Sequence, residues 1–311
     1  MKLQRLLFIL MLGFIFSCSD DDDTSEPVEL KDPEEVKDEN MLQIEEFLST
    51  HFYRFEDNPQ NPNFQNIVFD TIAGDNANEE PIINSEFLES KPVTQQDVEY
   101  TLYYLKFREG AESVRQPTFA DSVLVTYRGF SLFENQTFDG SPNPIWFDLP
   151  GNLTNTNSGS IRGFYEVMDE FRGATSFQEN PDGTISFDDN FGIGTVFIPS
   201  GIAYYATPPS GSGIAAYEPI VFNIQLYKSK ESDHDRDGVP SWMEDINEDR
   251  RITNDDSDGD NIPDFADIDD DGDGTLTEDE IEFDAEGNLI LPDSNGNGTP
   301  DYLDPTFPED A

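Results

Sequence analysis

From Asp233 onward the chain carries acids at close to every second position in several stretches, 28 acidic against 3 basic residues in the last 79. Like charges at this density repel. The apolar residues between them, among them Val239, Trp242, Ile246, Ile262, Phe265, Leu276, Ile281 and Tyr302, are few. Such a segment buries too little apolar surface to hold itself together. Four loops within it share one pattern. Asp233, Asp235 and Asp237 precede Gly238, with Glu244 after them; Asp256, Asp258 and Asp260 precede Asn261, with Asp264 after. Asp269, Asp271 and Asp273 precede Gly274, with Thr275 and Glu280 after; Asp293, Asn295 and Asn297 precede Gly298, with Asp301 and Asp304 after. Oxygen ligands at loop positions 1, 3 and 5, a sharp turn at 6 and an acid at 9 or 12 suit a calcium ion. Calcium is therefore expected as a structural ion whose binding also folds the segment. For an extracellular module of this type the dissociation constant is expected at roughly 10⁻⁴–10⁻³ M.

The loops start 23, 13 and 24 residues apart. This alternation, with the turns Ile262-Pro263-Asp264 and Thr299-Pro300-Asp301-Tyr302-Leu303-Asp304, resembles thrombospondin type 3 and related bacterial calcium repeats. The third loop is also similar to an EF-hand loop, with Thr275 at position 7 and Glu280 at position 12.

The rest of the composition narrows the chemistry. The whole chain has 66 acidic and 17 basic residues, a formal charge of −49, so no basic stripe is available to bind nucleic acid. One Cys excludes an internal disulfide framework and a Cys-rich zinc site. Only His51 and His234 could serve a catalytic triad or a His-ligated metal.

At the other end, Lys2 and Arg5 precede an apolar run from Leu6 to Phe16 and then Ser17-Cys18. The run is short for a membrane span and reads as a secretory signal over residues 1–18. It resembles a bacterial lipoprotein signal, which implies lipidation of Cys18, export, and anchoring in the outer membrane on its periplasmic or cell-surface side. Residues 19–40 hold 11 acids and 2 bases and read as an extended, solvated tether. Acids directly after the cysteine look like the surface-export signals of Bacteroidetes lipoproteins.

Residues 41–96 form an N-terminal segment without a functional motif. Leu42, Ile44, Phe47, Leu48 and Phe52 give Met41–Phe55 a helical face, with Asp38 or Asn40 as cap. Asn58–Ala77 reads as loop with one short strand. From Val98 the period changes to two, and further strands are expected at Ser122–Phe130, Ile145–Leu149, Gly194–Ile198 and Ile220–Tyr227, with one short helix at Gly163–Phe171. These elements predict an α+β domain over residues 97–230, mostly antiparallel. The Asp-rich segment, 231–311, is expected to have little regular secondary structure.

Five segments in order carry a second resemblance: Asp121–Gly129, Thr137–Ser141, Ser160–Phe164, Phe197–Tyr204, and Ile214 with Pro219–Leu226. Together they resemble the FKBP-type peptidyl-prolyl cis-trans isomerases over roughly Val98–Lys228. The resemblance implies a twisted antiparallel sheet wrapped around one short helix with an apolar pocket between them. It implies Tyr127, Phe138 and Phe222 as aromatic walls, Ile161 and Ile214 as apolar walls, and Phe164 as the floor. It implies Asp139 and Tyr204 as polar groups near the carbonyl before proline, and the Ile161 amide as a main-chain donor. Five departures stand out. Phe164 replaces the common Trp, Tyr204-Tyr205 the usual Tyr-Gly, and Ala215-Ala216 the usual Pro-Pro. The usual Phe of the loop before the helix falls on Ile145 or Trp146. An insertion at about Phe177–Asn190 lengthens the hairpin before Gly192.

Rotation about an X-Pro bond breaks amide resonance against a barrier of about 18–20 kcal/mol. The twisted amide has lost charge separation, so an apolar cavity favours it over the planar form, with no nucleophile, metal or cofactor. Clients would be proline-containing chains, and the implied role is folding of exported proteins. Two other readings stay open: a non-catalytic FKBP-like binding or chaperone module, and a calcium-dependent surface adhesion or spacer protein.

Overall fold

The computed structural model describes residues 30–57, 65–133, 136–151, 159–181, 183 and 185–307. The signal-like stretch, Cys18 and the first part of the tether lie outside the described residues. Among those that are described, no helix is long and apolar enough to cross a membrane.

Helix α1 runs from Pro33 to Thr50, so the expected tether to Asn40 and helix from Met41 both need correction. The cause is local. Asp32 caps the helix by accepting from the Glu34 and Glu35 amides at 3.0 and 3.1 Å, Pro33 fills the first position, and two acids face the positive end of the dipole. Val36, Asn40, Ile44 and Leu48 form its buried face. The helix stops at Thr50, and residues expected to continue it instead form strand β1 (His51–Asp57), paired antiparallel with β2 (Gln65–Thr71).

The main sheet has six strands: β3 (Leu88–Gln95), β4 (Val98–Arg108), β5 (Ser122–Ser131), β6 (Thr137–Asp148), β9 (Gly192–Ile198) and β10 (Ile220–Lys230). Between β6 and β9 lie helix α2 (Arg162–Met168) and a small hairpin of β7 (Phe177–Glu179) and β8 (Ile185–Phe187), where the insertion was expected. The order is β3-β4-β9-β10-β5-β6 with every neighbour antiparallel. This is the α+β architecture that the sequence predicts. Strand β3 was not anticipated. It joins β4 through Gln96 and Asp97, both at positive φ as a two-residue hairpin turn requires, so the sheet begins at Leu88 rather than 97. Its Pro92 is tolerated because β3 is an edge strand.

Strand β10 is buried from Ile220 through Tyr227 because both faces of the sheet are covered. Phe222, Ile224 and Leu226 pack with α2; Val221 and Tyr227 pack with Ile44 and Leu48 of α1 and Ile67 and Phe69 of β2. The N-terminal segment thus roofs the face opposite the pocket. Asn40 fastens it: its side chain accepts from the Ser200 amide at 2.7 Å and donates to the Tyr217 carbonyl at 2.9 Å. Asn40→Ala leaves the buried Ser200 amide without this acceptor and is expected to destabilise by about 1–3 kcal/mol, measured by urea unfolding.

After β10 the described residues form turns, three short 3₁₀ helices (Ile252–Asn254, Asp264–Ala266 and Asp301–Leu303), a four-residue helix α3 (Thr277–Glu280) and a two-residue pair, β11 (Glu282–Phe283) with β12 (Leu289–Ile290).

Candidate functional site

Strand β5 and the start of β6 bring Tyr127, Phe138 and Asp139 to one end of the sheet, and α2 sets Phe164 beneath them. A cavity of ≈ 360 Å³ lies between, lined by Tyr127, Asp139, Phe147, Gly159, Ser160, Ile161, Phe164, Tyr204, Pro209 and Phe222. Six of the eight residues expected from the sequence are among these. The other two, Phe138 and Ile214, pack in the same apolar cluster just outside the lining. Phe222 sits at the centre, with ring centroids 5.3 Å from Phe164, 5.5 Å from Phe138 and 6.1 Å from Tyr127. Phe138 in turn meets Tyr204 edge-on at 6.3 Å. Gly129 makes this crowding possible: a Cβ there would lie 2.6 Å from the Phe222 ring and 2.8 Å from that of Phe138.

The polar rim is small. The Tyr127 hydroxyl donates to Asp139 Oδ2 at 2.9 Å, and the Gly140 amide donates to Oδ1 at 2.8 Å, which together fix the carboxylate. Burial, reinforced by the Asp139 hydrogen bond and charge, raises the Tyr127 hydroxyl; burial and the same charge raise that of Tyr204. Both phenols stay protonated donors at neutral pH.

The aromatic from β6 is Phe147, not Ile145 or Trp146, which are exposed. Phe147 lies 5.1 Å from Tyr127 and 5.5 Å from Phe164. The register of β6 on β5 shifts between Val125 and Tyr127, and that irregularity decides which residue turns inward. Pro209 was also missed. The sequence does carry a Pro-Pro, at 208–209 ahead of Ile214 rather than after it, and its second proline reaches the cavity.

The Asp-rich loops repeat one backbone device. The position-5 side chain accepts from the amide at position 7 in all four: Asp237 from Val239, Asp260 from Ile262, Asp273 from Thr275, Asn297 from Thr299. Positions 4 and 6 take positive φ in each, for example Arg236 at 72° and Gly238 at 102°. Carboxylates converge in the first three loops: Asp233, Asp235 and Asp237; Asp256, Asp258 and Asp260; Asp269, Asp271 and Asp273. A further group joins Asp237 and Glu244 to Asp270, which the sequence reading had not used.

Within this last group Glu244 is 0% exposed with neither carboxyl oxygen hydrogen-bonded, and Asp270 Oδ1 and Asp237 Oδ2 are also unpartnered. Burial, then the neighbouring carboxylates, push Glu244 up to about 11 and Asp270 to about 9. Burial and adjoining acids bring Asp235 and Glu280 to about 8. Oxygens buried without partners, crowded by like charge, fit a hard divalent cation.

Asp264 and Asp301 are not among the converging groups. Asp264 accepts from the Ser257 amide and hydroxyl at 2.7 and 2.9 Å, and Asp301 does the same for Ser294 at 2.8 and 2.6 Å. Position 9 therefore closes the loop onto position 2. In the fourth loop Asn295 and Asn297 both donate to Asp304 Oδ2, at 2.7 and 2.8 Å.

Residues 234–291, inside this segment, match a family model described as BamM C-terminal. No curated protein matches the chain. Among solved structures, a peptidyl-prolyl cis-trans isomerase from Pseudomonas syringae pv. tomato is 18% identical with a TM-score of 0.33, over 48% of this chain and 84% of that one. FkpA from Escherichia coli is 20% identical with a TM-score of 0.33, over 47% of this chain and 53% of its own length. The N-terminal domain of FKBP42 from Arabidopsis thaliana is 10% identical with a TM-score of 0.32, over 46% of this chain and 93% of that domain.

Proposed function

We propose that the chain is a peptidyl-prolyl cis-trans isomerase of exported polypeptides, carried on a lipid anchor at Cys18 and completed by a calcium-folded C-terminal module. The observation that supports the reading most is the cavity itself. Four aromatic rings, Tyr127, Phe147, Phe164 and Phe222, enclose a volume suited to a prolyl ring, with Asp139 and Tyr204 at its rim. Burying an X-Pro amide there removes the water that stabilises the planar, charge-separated form. The twisted form loses less by that transfer, so the barrier falls. Tyr204 supplies an oriented hydroxyl for a flanking carbonyl, Tyr127 spends its proton on holding Asp139 in place, and Ile161 at the head of α2 supplies a main-chain edge. No covalent step is involved.

A protease-coupled or exchange-NMR assay on a proline peptide tests this. The chain is expected to accelerate cis/trans exchange, and Phe138→Ala, which removes a ring from behind Phe222, is expected to lower kcat/KM by roughly 10- to 100-fold. Exchange at the uncatalysed rate would sink the enzyme and leave the binding-module reading.

For the C-terminal segment, the buried unpartnered oxygens of Glu244, Asp237 and Asp270 support calcium as the missing partner. Asp233, Asp235, Asp237 and Glu244 would hold one ion with Asp270, Asp256–Asp260 a second, and Asp269–Asp273 with Thr275 and Glu280 a third. The ions would be structural and take no part in proline isomerisation.

A further inference from the structure

Between the first and second loops lies Asp245-Ile246-Asn247-Glu248-Asp249-Arg250. Nothing in the repeat spacing singles it out, because Arg250 stands where the pattern asks for Gly or Asn. Its backbone nevertheless matches the other loops. Glu248 and Arg250, at positions 4 and 6, have φ of 58° and 63°, and the Asp249 amide donates to Asn247 Oδ1 at 2.9 Å as position 5 does to position 3 elsewhere. Carboxyl oxygens of Asp245, Asp249 and Asp255 converge within 4.8 Å of one another. Asp255 is 5% exposed and its Oδ2 has no hydrogen-bond partner; Asp245 Oδ1 is buried and unpartnered too. Two carboxylate oxygens taken from water and left without donors in one place suit a cation.

Position 6 is also where this loop touches the isomerase fold. From its left-handed backbone Arg250 sends its guanidinium to α2, with Nε 2.8 Å from Glu166 Oε2 and Nη2 2.7 Å from Asp169 Oδ2. Arg162 on α2 returns a hydrogen bond to the Asp249 carbonyl at 2.8 Å. Glu166 is 2% exposed, two residues from the pocket floor Phe164 on the same helix. A bulky residue thus occupies a conformation that favours glycine, and its side chain is the contact with α2.

We infer that Asp245, Asp249 and Asp255 form a further calcium site, outside the four repeats, whose occupancy holds Arg250 against α2 and so braces the helix that floors the pocket. The meaning of that brace rests on the isomerase reading, but the site does not. Diffraction from the unaltered full chain grown in saturating calcium is expected to show an anomalous peak between these three carboxylates. Filled neighbouring loops with no peak there overturn the proposal. In native mass spectrometry Asp255→Asn is expected to carry one ion fewer than the unaltered chain, and an unchanged count overturns the site. Loss of several ions marks a misfolded variant, and the diffraction result then decides. Hydrogen exchange in calcium reads the brace. Amides of 162–168 are expected to exchange about tenfold faster in both Asp255→Asn and Arg250→Gln. Unchanged exchange in Asp255→Asn separates the site from the helix and overturns the coupling. Neither readout uses turnover, so a failure here is distinct from failure of the isomerase reading.

Discussion

Chelating calcium is expected to unfold residues 233–307 while the six-stranded sheet stays folded. The sheet has two apolar cores of its own, one against α2 and one beneath α1 and β2. The Asp-rich segment contributes a single small cluster, Ile252 and Phe265 against Phe119 and Ala120. Without metal, unpartnered buried carboxylates oppose that small gain. Far-ultraviolet circular dichroism and limited proteolysis in EGTA should show a C-terminal transition separate from that of the sheet. A segment that resists protease equally with and without calcium would refute the idea. The pH dependence has a definite sign. Glu244, Asp270, Asp235 and Glu280 are all raised above their unfolded values, to about 11, 9, 8 and 8, by burial first and neighbouring acids second. Their protonation supports the metal-free fold below the unfolded values near 4, and that support is lost as pH rises through about 8 to 11. The metal-free segment should therefore be more stable near pH 5 than near pH 8. Calcium reverses the order, since its ligands must be deprotonated.

The second large effect is expected from Phe222→Ala. Phe222 is buried near the start of β10, opposite Gly129 on β5 and Val196 on β9, and touches three other rings. Its removal leaves a cavity that the strands on either side cannot close. A loss of about 3–5 kcal/mol is expected by urea unfolding. The same change opens the pocket floor to water, so isomerase activity should fall further than stability requires under conditions where the variant remains folded. A variant with full activity would mean that the cavity is not where proline binds.

Much of the pocket was legible because the residues that carry it sit in short ordered segments. Tyr127, Asp139, Ile161, Phe164, Tyr204 and Phe222 were all placed from such segments. Phe147 was not, because a bulge in the β5–β6 pairing sets which of Ile145, Trp146 and Phe147 faces inward. The length of α1 was legible in principle, since Asp32-Pro33-Glu34-Glu35 is a complete start signal, but the acidic run around it hid the signal.

Local chemistry was settled by the sequence alone. Asp-x-Asp-x-Asp spacing dictates tight loops whose side chains accept from the amide two residues on, and an alternating apolar run dictates a strand, because both depend on residues within a few bonds of one another. Distance between segments was decided only by the tertiary structure. It brought Asp270 from the third loop to Glu244 of the first, buried both faces of β10 by laying α1 and β2 over the sheet, and joined Arg250 to Glu166 across 84 residues of chain. Those meetings depend on strand register and on which faces pack together, and no short-range pattern encodes either.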